Sequence, residues 1–310
     1  MLKSLFIHKF YNRIKSFQNP FYNKYPVIGP QSGLSCIPFF IIGSGRSGNT
    51  LLRSILSGNS DISIPPESYR IPFAIKKFHI FNNRDWSEVV SVVLDEFRNE
   101  KEFVHWEIDI ENVQNKLENI PDSKKTLANI FDELYCTYSK QHSTGKIWGD
   151  KTPMNTSYLG WIGSVFPKSK FIHIIRDGRD VVSSYLKMGR YTTVKDAAQR
   201  WKKSVKFGKS FGSSIGNNYM EIRYEAMVSS PEEVIKNICS FLGITYSIEM
   251  LNHTNLIEKL GDTSLSHHSN LSRPITTDSI GKWKENLSSA DKNEVLKLLK
   301  EDLMTLGYYD

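Results

Sequence analysis

The chain has 310 residues, 39% hydrophobic and 24% charged, as expected of an ordinary soluble globular protein with one large or two small domains. Its formal net charge of +7 favours an anionic ligand or surface, but no Lys/Arg block or zinc-finger spacing supports nucleic acid. No run approaches the roughly 18 apolar residues of a membrane span. Three scattered cysteines, Cys36, Cys136 and Cys239, fit no metal or redox spacing, so no metal and a reducing, cytoplasmic setting are expected.

Residues 1–19 place Leu2, Leu5, Phe6, Phe10, Ile14 and Phe17 at near-helical spacing among Lys3, Lys9, Arg13 and Lys15. They lack the apolar core and cleavage site of a signal peptide. A basic amphipathic helix of this kind packs on its own domain, the reading favoured here, or lies peripherally on an anionic membrane. Residues 20–36 are rich in Pro, Gly, Asn and Ser and read as a linker. Residues 37–310 then form a single domain.

That domain opens with Phe39-Phe40-Ile41-Ile42, a short apolar run between Pro38 and Gly43 that reads as a buried strand. Gly43, Gly45 and Gly48 follow, with Arg46 and Ser47 between them, and Asn49-Thr50 begins an amphipathic helix to Leu56. Strand, glycine turn and helix start aim backbone N–H groups and a positive helix end at one point, where an anion belongs. Gly43, Gly48 and Thr50 fall in register with the nucleotide P-loop, yet Asn49 replaces its lysine. That replacement argues against ATP or GTP hydrolysis and leaves Arg46 to supply the cation.

Asp61-Ile62-Ser63-Ile64 reads as a second strand stopped by Pro65-Pro66, with Glu67 just beyond, where ligands bind in open sheets. Residues from about 70 to 146 read as a helical insertion: helical spacing over Trp86–Phe97 and Leu127–Lys140 brackets a polar, irregular stretch. Ile147-Trp148 leads into a strand-end loop carrying Lys151, and a helix over about Ser157–Phe166 precedes the strand Lys170–Ile175. Arg176-Asp177-Gly178-Arg179 with Ser183 and Ser184 then makes a second anion site, or ordinary helix capping by Asp177 or Asp180. Further elements are a helix over Val194–Phe211, a strand over Tyr219–Ile222, and helices over Pro231–Leu242 and Asp291–Leu306. The alternation predicts one α/β domain with a mainly parallel sheet.

With both anion sites placed, residues from about 37 to 285 resemble the sulfotransferase family, which uses 3′-phosphoadenosine 5′-phosphosulfate (PAPS) and releases PAP. Gly45-Arg46-Ser47-Gly48-Asn49-Thr50 looks like the family's 5′-phosphosulfate loop. Arg176 with Ser184, eight positions later, looks like its 3′-phosphate motif. Arg223-Tyr224-Glu225 and Gly281-Lys282-Trp283 resemble segments of the branch that includes tyrosylprotein sulfotransferases and bacterial enzymes. The resemblance implies a P-loop-like three-layer fold, with a central mainly parallel sheet flanked by helices. It implies PAPS binding by Gly45 to Thr50, Arg176, Ser184, Tyr224 and Lys282, with Ser269 as a further candidate. It also implies catalysis by Glu67 as general base, helped by Arg46 and Lys151.

The expected reaction is sulfonate transfer to an acceptor hydroxyl: a saccharide first, then a lipid or small metabolite, and a protein tyrosine last. A P-loop kinase or NTPase is the alternative.

Overall fold

The computed structural model describes residues 23–28, 33–252, 254 and 274–308. The helix expected over residues 1–19, and Ser269, lie outside the described residues. Five parallel strands form the sheet, in the order β2-β3-β1-β4-β5. They are β1 (Phe39–Gly43), β2 (Ile62–Ser63), β3 (Ile147–Lys151), β4 (Lys170–Ile175) and β5 (Tyr219–Arg223).

Alternation along β1 distributes its side chains between two cores, because successive residues of a strand face opposite ways. Phe40 and Ile42 join Trp148, Phe171 and the insertion helices on one face. Phe39 and Ile41 join Ile172 and Ile174 and, from α1 (Asn49–Leu56), Leu52 and Ile55 on the other. The insertion comprises α2 (Ile71–Phe81), α3 (Trp86–Arg98), α4 (Ile110–Glu118) and α5 (Leu127–His142). Then come α6 (Leu159–Val165), α7 (Gly178–Lys187) and α8 (Val194–Ile215), and after β5, α9 (Tyr224–Ser229) and α10 (Pro231–Leu242). Near the C-terminus, α11 (Trp283–Asn286) and α12 (Ser289–Thr305) complete the described chain. Ile175 lies over a third core formed with α7, α8 and α12. The result is the three-layer α/β fold expected.

Local chemistry accounts for the helix limits. Thr126 and Thr193 accept backbone N–H groups at the starts of α5 and α8. Pro231 opens α10, and Gly243 closes it in the left-handed conformation.

Three expectations are corrected. Strand β2 has two residues instead of four, because Asp61 lies in the preceding turn and Ile64, ahead of the prolines, leaves the ladder. Lys151 is the last residue of β3, not part of a loop. The stretch between α3 and α5 is not irregular: it holds a 3₁₀ turn, Lys101–Trp106, and α4. Its Trp106 is fully buried and donates its indole N–H to the Pro66 carbonyl at 3.0 Å, which fixes the turn just ahead of Glu67.

The sheet register sets the site. Gly43 pairs with Ile174 and Ile41 with Lys151, so the segments after β1, β3 and β4 emerge together at the carboxyl end of the sheet. Strand β1 lies between β3 and β4, the reversal point where open α/β sheets hold ligands.

Candidate active site

The loop from Gly43 to Gly48 is built as an anion cradle. Arg46 (φ 68°) and Gly48 (φ 93°) are left-handed, which curls the chain so that α1 begins without any side-chain cap. The first-turn N–H groups of a helix have no partner within it and remain available. Glycine is required at 48 by space as well as by φ, since a Cβ there would lie 2.4 Å from the Tyr224 ring. Asn49, in the place of the P-loop lysine, donates its amide to the Ser44 carbonyl at 2.7 Å and ties the loop to itself. Thr156 clamps the loop's base, accepting from the Gly43 N–H at 2.9 Å and donating to the Gly43 carbonyl at 3.0 Å. The buried Ser47 hydroxyl has no partner in the protein.

Glu67 and Lys151 meet beside this loop. Lys151 is wholly buried, pairs its ammonium with Glu67, and donates to the Thr50 hydroxyl at 3.3 Å. A buried ammonium is stabilised only by such partners. Two residues beyond Glu67, the Tyr69 backbone is also left-handed, at φ 55°. Burial and the Glu67 charge push the Tyr69 phenol well above its ordinary range, so it stays protonated.

Asp150 points away from Lys151 into the insertion. It accepts hydrogen bonds from Tyr135 (2.8 Å), Asn155 (2.7 Å) and Thr152 (3.3 Å). Burial raises its pKa to about 6 despite those donors.

At the end of β4, Arg176 donates to the Arg46 carbonyl at 3.1 Å and to the Ser279 carbonyl. Its guanidinium lies 4.4 Å from the Tyr224 ring, and its Nε is buried without a protein partner. Arg46 donates to the Ser184 hydroxyl at 3.1 Å, which links the two anion loops directly. The pairing of Arg176 and Arg179 in one anion site is corrected. Arg179 forms an ion pair with Asp177 at 2.8 Å and lies 4.5 Å from the Trp283 ring, while Asp177 caps α7.

The structure thus brings together Gly45, Arg46, Ser47, Gly48, Asn49, Thr50, Glu67, Lys151, Arg176, Ser184 and Tyr224. The Lys282 ammonium instead pairs with Glu285 at 2.9 Å on the surface. Its neighbours Gly281 and Trp283 donate backbone N–H groups to Asp180, which lies 3.9 Å from Arg176. Sequence reasoning missed Tyr69, Thr156 and Tyr185, whose hydroxyl meets that of Ser44 at 3.1 Å. Tyr69 alone carried a signal, its position two residues beyond Glu67.

A parallel sheet with two basic loops at its reversal point is the architecture of α/β enzymes that handle nucleotide phosphates. The sulfotransferase family model matches residues 38–247, and the chain belongs to that family. It is 24% identical over 284 residues to protein-tyrosine sulfotransferase 1 of Danio rerio, covering 87% of this chain and 71% of that one. It is 25% identical over 290 residues to protein-tyrosine sulfotransferase A of Caenorhabditis elegans, covering 87% and 67%. The sulfotransferase domain of the Synechococcus PCC 7002 olefin synthase superposes with a TM-score of 0.60 at 23% identity, over 93% of this chain and 96% of that domain. That likeness shows the fold. Family membership sets aside the kinase or NTPase alternative.

Proposed function

We propose that the chain transfers a sulfonate from PAPS to an acceptor hydroxyl, with Glu67 as general base. The observation that carries this reading is the Glu67–Lys151–Thr50 chain of contacts, which sets a carboxylate and a buried ammonium against the glycine-rich loop.

The donor set suits a nucleotide with phosphates at both ends. Unpartnered Ser47 Oγ and Arg176 Nε mark unused capacity in the two loops. The 5′ end would be held by the N–H groups of α1 with Arg46, Ser47 and Thr50, and the 3′-phosphate by Arg176 and Ser184. PAPS supplies an activated sulfonate on a phosphate leaving group. Glu67 takes the acceptor proton, a role worth about 10²–10⁴-fold in rate. Lys151 and Arg46 stabilise the negative charge that grows on the transferring group and the departing phosphate.

The acceptor is a hydroxyl compound. A phenol ordinarily titrates near 10, whereas an alkyl hydroxyl lies far higher, closer to water. A carboxylate base is better matched to the phenol, and the names of the two relatives point the same way. This support moves a peptide tyrosine ahead of the saccharide hydroxyl expected from sequence.

Two experiments test the reading. Calorimetry should show PAP binding without magnesium and no comparable binding of Mg-ATP; the reverse result would sink it. Incubation with ³⁵S-labelled PAPS and either an acidic tyrosine peptide or an oligosaccharide pool should label the peptide. Label confined to the oligosaccharides would restore the saccharide.

A further inference from the structure

The stretch that delivers Glu67 is Ile64-Pro65-Pro66, buried throughout and outside the β2 ladder. Two consecutive prolines bring no N–H, so this stretch is held through its carbonyls. Two of those carbonyls are taken by buried donors from distant parts of the chain. Trp106 of the insertion donates to Pro66 at 3.0 Å, and Arg53 Nε donates to Ile64 at 3.1 Å. Arg53 is 0% exposed and lies in the last turn of α1, the helix that opens at the anion loop. Burying a guanidinium is costly unless it is well hydrogen-bonded, and an apolar side chain would fill the space without that cost. Arg53 follows Thr50 by three positions, which places both on one face of α1. Helix α1 therefore meets the base twice. Thr50 accepts from Lys151, the ammonium paired with Glu67, and Arg53 grips the backbone three residues before Glu67.

We propose that Arg53 is a positioning residue, which fixes the distance from the Glu67 carboxylate to the phosphosulfate loop by anchoring the Ile64 carbonyl to α1. The inference rests on the sulfotransferase reading given above. The first turn of α1 offers its amides to the sulfonate donor, and the last turn of the same helix holds the segment bearing the base. One rigid element thus sets both ends of the attack geometry. That geometry is exacting, since a displacement of about 1 Å can cost on the order of 10²-fold in rate. Without the anchor the Pro-Pro stretch is free to shift, while the nucleotide contacts at the start of α1 are untouched.

The test reads single-turnover transfer of ³⁵S from PAPS into a mixture of an acidic tyrosine peptide and an oligosaccharide pool, with PAP affinity by calorimetry alongside. Arg53→Met fills the space but leaves the Ile64 carbonyl without its donor. Transfer should fall at least about tenfold while PAP affinity stays within about threefold. The same substitution in a Glu67→Gln background should cost less than about threefold, because a residue acting through the base has nothing left to position. General damage to the fold would instead cost the same factor in both backgrounds. Arg53→Lys, which keeps the charge and a donor, runs the same cycle should methionine prevent folding.

Equal losses in the two backgrounds would overturn the proposal. So would a loss of PAP affinity that matches the loss of transfer, or transfer that stays within about threefold of the wild type. Failure of the wild type to bind PAP or to label either acceptor would instead remove the sulfotransferase reading, and this inference with it.

Discussion

The Arg176 guanidinium donates to the backbone carbonyl of Arg46 at 3.1 Å, which brings two cationic side chains to one crevice between β1 and β4. Burial, and next the neighbouring Arg176 charge, hold the Arg46 guanidinium below its ordinary range. Two like charges kept together at a sheet's reversal point call for an anion to offset them.

Arg176→Ala should therefore weaken PAP by about 10- to 100-fold, the usual worth of charge-assisted hydrogen bonds. Adenosine 5′-phosphosulfate, which lacks the 3′-phosphate, should change less than about threefold on the same scale. Isothermal titration of both ligands reads the difference, and equal losses would remove Arg176 from the 3′ site.

Glu67→Gln keeps the shape and one hydrogen-bond acceptor for Lys151 but loses the proton acceptor. Turnover should fall at least about a hundredfold while PAP affinity stays within about threefold. Single-turnover kinetics with PAPS separate the two. Near-normal turnover would assign the base elsewhere.

The elements that place these groups were legible where one residue type decides local structure. The apolar run of β1, the glycines at 43, 45 and 48, and Pro231 with Gly243 around α10 each marked a limit that the fold keeps. The resemblance singled out Arg176 and Ser184, which lie close in sequence on one β4–α7 unit and both meet Arg46 in the fold. What stayed hidden depends on contacts between distant segments. Arg179 could not be assigned to Asp177 and Trp283, 104 positions apart from it at the far partner, until α11 was placed beside α7. Nor does composition announce the left-handed backbone at Tyr69, a non-glycine residue two positions beyond Glu67. The order of the insertion was obscured because its polar surface masks the few residues, such as Trp106, that anchor it.

Stability should depend on pH through His173. Its ring is buried in β4 beneath α8, shares a 2.6 Å hydrogen bond with the Tyr219 hydroxyl, and has Nε2 unpartnered. Burial lowers its pKa to about 3 from the ordinary 6.5. Below pH 6.5 the unfolded chain binds a proton that the folded chain refuses, so this contribution is lost as pH falls from 6.5 towards 3. Between pH 6.5 and 5 it amounts to about 2 kcal/mol. Asp150 works in the opposite sense: with its folded pKa raised to about 6, its contribution grows as pH falls from there towards 3.8. His173→Asn should be less stable at pH 7.5 yet lose less stability on acidification, as measured by urea unfolding at pH 7.5, 6.5 and 5.5. Parallel slopes for both proteins would show that His173 titrates normally.

Gly48 tests the loop from the packing side. Alanine there would carry φ 93° and bring its Cβ to 2.4 Å from the Tyr224 ring, so either the loop or the ring must move. Tyr224 is not free to retreat, because its hydroxyl is bonded to Ser279 and its face lies against Arg176. Overpacking of this kind typically costs about 1–3 kcal/mol, and the backbone conformation adds to it. Gly48→Ala should lower the melting temperature and weaken PAP more than about tenfold, since the same shift moves the α1 amides and Arg176. Tyr224→Ala in the Gly48→Ala background frees the space and should return part of the melting temperature without restoring PAP affinity. Full recovery of binding in that double variant would mean that Tyr224 contributes nothing to the site beyond its bulk.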